Sequence, residues 1–96
     1  MSIANGPAML RVSTISEGDA TTIKLEGKLL APWCEEVARA CREAAAGEGK
    51  QVKLDLDEVT FIDAAGIELV RLLRRQGVAI ARCSSFVAEL LQMERV

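Results

Sequence analysis

The chain has 96 residues, 50% of them hydrophobic, with 12 lysines and arginines against 14 aspartates and glutamates and a net charge of −2. That length supports one domain around a single core, and a slightly acidic chain without a basic tract argues against nucleic acid as a partner. The N-terminus lacks the basic start and apolar stretch of a signal peptide and no apolar run approaches bilayer length, so a cytoplasmic protein of bacterial type, without direct membrane insertion, is expected.

Residues 1–8, with Asn5, Gly6 and Pro7, have no periodicity and read as a flexible lead-in to a single domain over 9–96. A short strand is expected from Leu10 to Ile15, then turn chemistry in Glu17-Gly18-Asp19, then a second strand from Thr21 to Glu26 that pairs with the first as a hairpin. In the second strand Ile23 and Leu25 alternate with Thr22, Lys24 and Glu26, the period of two that marks a sheet with one wet face. A first helix is expected from Pro32, suited to the first helical position, through Trp33, Val37, Cys41 and Ala44 to a stop at Gly47. Val52 to Asp57 repeats the strand pattern, with Val52, Leu54 and Leu56 inward. A second helix follows Asp63, carries Ile67, Leu69, Val70, Leu72 and Leu73, and ends at Gly77; a last strand from Val78 to Arg82 leads to Ser84, the expected N-cap of a third helix with Phe86, Val87, Leu90 and Leu91.

The order β-β-α-β-α-β-α contains two crossovers, each right-handed by rule. With the strands laid down in sequence order, both crossover helices fall on one face, which agrees with strands that alternate rather than run continuously apolar. The expected fold is a two-layer α/β domain: a four-stranded mixed sheet ordered 1-2-3-4 with three helices largely on one face. Lys24, Glu26, Lys53 and Asp55 then belong to the less covered face.

Chemistry-bearing residues are sparse. The absence of histidine removes the commonest general base and metal ligand and excludes any nucleophile-histidine pair. Cys34, Cys41 and Cys83 lack the paired spacing of zinc or redox motifs, and Cys34 and Cys41 fall on one helix face as small hydrophobes. Asp55, Asp57 and Asp63 are too divergently placed, two on a strand and one at a helix cap, to converge on a hard cation, so neither metal nor cofactor is expected. Arg71, Arg74 and Arg75 cluster on one helix, where a solvated face near the C-terminus suits the macrodipole. Ser84 and Ser85 open a helix where phosphate is electrostatically welcome, with capping by Ser84 the favoured role. Trp33, the only tryptophan, most often would be core or a helix-entry staple, although exposed aromatics also anchor interfaces.

The most informative stretch is Val59-Thr60-Phe61-Ile62-Asp63-Ala64-Ala65-Gly66-Ile67, which follows a strand-like run and opens a strongly apolar helix. Asp63 sits where an N-cap belongs, and the small residues behind it allow another backbone or a partner to approach closely. With Leu25-Glu26-Gly27-Lys28-Leu29 upstream and Cys83-Ser84 downstream, this stretch resembles the STAS family, the sulfate-transporter and anti-sigma-factor-antagonist domains, over nearly the whole chain. In the antagonists the turn reads Asp-Ser-Ser-Gly; the first serine is phosphorylated by a partner that is both kinase and anti-sigma factor, and the dephosphorylated protein binds that partner. Here Asp63 and Gly66 keep the pattern, Ala64 and Ala65 replace the serines, and Leu30 stands where many members carry an acidic residue.

The resemblance implies a non-catalytic protein-binding module in signal transduction and transcription regulation, not an enzyme, with no phosphorylation at Ala64 and a partner surface made of Asp63, Ala64, Ala65, Gly66 and Glu68. The partner it implies is an anti-sigma factor of kinase-like type or, alternatively, the components of a membrane lipid-transport ATPase of which STAS-like proteins are accessory subunits.

Overall fold

A computed structural model describes residues 10–46 and 51–93. The expected lead-in over residues 1–8 and the helix stop at Gly47 lie outside the described residues. The elements run β1 (Leu10–Glu17), β2 (Ala20–Leu29), α1 (Ala31–Ala45), β3 (Gln51–Ile62), α2 (Ala64–Arg75), β4 (Ala79–Cys83) and α3 (Ser85–Met93). The four strands form one sheet in the order β1-β2-β3-β4. β1 pairs antiparallel with β2 from Leu10 opposite Gly27 to Glu17 opposite Ala20, while β3 runs parallel to both β2 and β4. This is the expected mixed sheet in sequence order.

One aliphatic cluster holds the layers together. Ile23 and Leu25 of β2, Leu54 and Leu56 of β3, Val37 of α1, Val70 of α2 and Val87 of α3 are fully buried in it. Each such side chain contributes about 1.5–3 kcal/mol relative to exposure, which is why the alternating strand pattern and the helical one select the same interface. Trp33 is half-buried and packs on this cluster, as do Cys34 and Cys83, while Cys41 lies inside it.

β3 is twice corrugated. Lys24 and Glu26 of β2 face Asp55 and Glu58, and Gly27 and Lys28 face Val59 and Phe61, so at each place β3 carries one residue more than its partner. The alternation breaks there, with Asp57 and Glu58 both exposed, and the strand continues to Ile62 rather than ending near Asp57. Extra residues of this kind re-aim side chains without ending the strand. They also account for a correction at Asp55. Thr22, Lys24, Glu26 and Lys53 are half-buried on the less covered face, but Asp55 is only 8% exposed. Its strand is central, Lys24 and Arg82 stand opposite it on the two sides, and its carboxylate Oδ1 accepts a 3.1 Å hydrogen bond from the Asp57 N–H across the bulge.

The helix ends position the site. α2 stops in a Schellman motif: Gly77 takes φ +102°, its N–H donates to the Arg74 carbonyl at 3.1 Å, and the Val78 N–H donates to the Leu73 carbonyl at 3.0 Å. Ser84 Oγ accepts from the Val87 N–H at 3.3 Å and caps α3 as expected. α1 begins at Ala31, with Pro32 in its first turn, and its N-cap Leu30 offers no side-chain acceptor.

Candidate functional site

The ends of β2 and β3 lie side by side, Leu29 opposite Ile62, so the helices that follow them start next to each other. α1 has no cap of its own. Asp63 supplies it: its Oδ1 accepts from the Gly66 N–H at 2.8 Å, capping α2, and its Oδ2 accepts from the Ala31 N–H at 2.9 Å, at the first residue of α1. The Asp63 N–H in turn donates to the Leu29 carbonyl at 3.2 Å. One carboxylate thus satisfies free amides of two helix starts and places a negative charge where both helix dipoles favour it.

Gly66 is required by the same close approach. A Cβ there would lie 2.7 Å from both the Leu29 carbonyl oxygen and Ile62 Cγ1, so only hydrogen fits between α2 and the strand ends. Of the five residues expected at a partner surface, Asp63 is half-buried with both oxygens engaged inside the chain, Gly66 is buried, and Ala64, Ala65 and Glu68 are exposed. Glu68 pairs with Arg71 at 3.7 Å. The outward part of the turn is therefore two methyl groups and a tethered carboxylate. The bridge to Ala31 was not anticipated from the sequence, although the expected strand order already implied that the two helices start beside each other.

The thiol beside this turn is not activated as a nucleophile. Cys34 donates a long hydrogen bond, 3.6 Å, to the Leu30 carbonyl, and its thiol is held above the usual pKa by burial and then by the charge of Asp63. Burial, followed by the charge of Asp57, raises Cys83 likewise. A thiol pushed up in this way is a poor nucleophile. Asp57 pairs with Arg82 at 3.5 Å, away from Asp63, and among the described residues no cluster of three or more histidine, cysteine, aspartate or glutamate side chains could hold a metal ion. Among the described residues no helix is long and apolar enough to cross a membrane.

The sequence profile of the family described as "Mlab, STAS domain" matches residues 12–96. The chain belongs to the STAS domain family. No curated protein matches it in sequence. Among solved structures, the STAS fold of this chain is similar to the anti-sigma factor antagonist SpoIIAA in its unphosphorylated form, with a TM-score of 0.70 at 20% identity over 88% of this chain and 80% of that one. It is similar to the Bacillus cell fate determinant SpoIIAA in the phosphorylated form, at TM-score 0.64 and 17% identity over 88% and 84% of the two chains. The antisigma-factor antagonist STAS domain of Rhodobacter sphaeroides matches with a TM-score of 0.59 at 19% identity, over 82% and 89%. At these identities the likeness is one of fold, and the four-stranded sheet with three helices is the STAS architecture.

Proposed function

We propose that this STAS domain is a non-catalytic protein-binding module resembling an anti-sigma-factor antagonist, and that its docking surface is the first turn of α2, presented by Ala64, Ala65 and Glu68 and held in place by Asp63 and Gly66. The observation that carries this reading is the division of labour within the turn. Asp63 and Gly66 are consumed by the fold, while the residues between and beyond them face solvent on a support fixed at two helix starts. A rigid, small-residue surface loses little conformational entropy when a partner covers it. With Ala64 in place of a hydroxyl, this surface is not switched by phosphorylation at that position.

Ala64→Glu tests it. A negative charge at the first helical position suits the helix dipole and is solvated in the free protein, so folding stability should stay within about 1 kcal/mol of the parent. A docked partner must desolvate that charge, and affinity for the native partner, recovered by pull-down and measured by titration calorimetry, should fall at least about tenfold. Unchanged affinity would place the interface elsewhere.

A second reading, the accessory subunit of a membrane lipid-transport ATPase, draws on the same alanine: a surface with no hydroxyl to modify suits a permanent subunit. Recovery of an ATPase and permease would favour it; recovery of a kinase-like anti-sigma factor would favour the first.

A further inference from the structure

The other end of α2 carries three arginines within five residues. Among the described residues outside α2, Arg11 meets Glu26 at 3.9 Å, Arg39 meets Glu36 at 3.1 Å and Arg82 meets Asp57 at 3.5 Å, while Arg42 near the end of α1 has no ion pair. On α2, Glu68 answers Arg71 alone, and among the described residues neither Arg74 nor Arg75 has an ion-pair partner. These three arginines line an open depression of about 310 Å³. At 100° per residue, Arg74 and Arg71 occupy one flank of the outward face, Arg75 its centre beside Glu68, and Leu72 the opposite flank. Leu72 is 42% exposed although its neighbours Leu69, Val70 and Leu73 are buried. A chain with net charge −2 thus sets three arginines, two of them without an ion-pair partner among the described residues, on the outward face of one helix that also carries an exposed leucine.

We propose that the last two turns of α2 are a docking site for an acidic segment of a protein partner, whose carboxylates meet Arg71, Arg74 and Arg75 and whose apolar side chain covers Leu72. This rests on the reading of the chain as a protein-binding module and names the chemistry of the partner. Charge complementarity selects the occupant. Three arginines offer planar forks that match carboxylates bidentately. A membrane surface is disfavoured, because one leucine gives too little apolar area to insert and the acidic chain as a whole is repelled by anionic lipid. The patch lies about 15 Å along the helix from Ala64, so a partner that covers the first turn and continues along α2 reaches both.

The test is an NMR titration of the full, isotope-labelled chain with a short blocked peptide of glutamate and leucine, with its glutamine-for-glutamate counterpart as the uncharged control. Saturable shifts should appear at the amides of Arg71, Leu72, Arg74 and Arg75 with the acidic peptide alone. The double variant Arg74→Gln, Arg75→Gln should weaken binding roughly fivefold, as loss of two exposed ion pairs implies, with an unchanged circular dichroism spectrum. Arg74→Lys with Arg75→Lys should recover part of it. No binding, shifts spread over Arg11, Arg39 and Arg82, or indifference to the glutamine variants would overturn the proposal. So would equal or tighter binding of phosphatidylglycerol vesicles or duplex DNA to the same residues, which would mark a lipid or a general polyanion surface. Ala64→Glu should leave the peptide titration unchanged, so a failure of the first-turn surface and a failure of this one are read separately.

Discussion

At the scale of single residues, Asp63 decides how the site is held. Removing its carboxylate frees the Gly66 N–H at one helix start and the Ala31 N–H at another. Loss of an N-cap costs about 1 kcal/mol, and the second charged hydrogen bond adds a comparable amount, discounted because Ala31 is exposed and water can replace the acceptor. Asp63→Ala should therefore destabilise the domain by about 2 kcal/mol in urea denaturation. Asp63→Asn, which keeps one acceptor oxygen, should cost about half as much. Equal, negligible losses would show that the bridge between helices contributes nothing. Gly66→Ala follows a different logic. The added methyl meets a backbone oxygen that cannot swing aside, so strain of about 1–3 kcal/mol is expected, while the exposed Ala65→Gly next to it should cost no more than about 1 kcal/mol, the helix propensity difference.

At the scale of elements, the sequence was most legible where one physical signal acted alone. Gly77 ended α2 and Ser84 capped α3 as expected, because left-handed glycine and a side-chain oxygen at a helix start are local chemistry. Strand order followed from alternation, since strands wet on one face require helices on the other. The far end of β3 was not legible. Two extra residues disturb its alternation, and the strand pattern read to Asp57 alone, although Asp57 and Glu58 are the outer side of a bulge and the strand runs on to Ile62. The same bulge buries Asp55, which strict alternation places on the open face. At the site, the cap on α2 was readable from Asp63 and its spacing to Gly66. The contact to Ala31 was not, because it joins residues 32 apart and depends on two parallel strands ending level.

At the scale of the whole molecule, the helices and sheet enclose one aliphatic core, and the pH response of the fold should report a thiol inside it. Cys41 is 3% exposed, and burial pushes its pKa from 9.0 up to about 11. Between those values the unfolded chain releases a proton that the folded chain retains, so the folded state binds more protons and stability falls with rising pH. The contribution is fully present below pH 9.0 and is lost as pH climbs toward about 11. Two pKa units set its ceiling at about 2.7 kcal/mol, and Cys34 and Cys83, both raised, act in the same direction. The chain has no histidine and no tyrosine, so few other side chains obscure this window. Urea midpoints should be flat from about pH 6 to 8 and decline above pH 9.0, and Cys41→Val should remove most of the decline while preserving the midpoint near neutrality to within about 1.5 kcal/mol. If Cys41→Val declines as steeply as the parent, the alkaline response comes from Cys34, Cys83 or the surface lysines, and the core at Cys41 is wetter than its packing indicates.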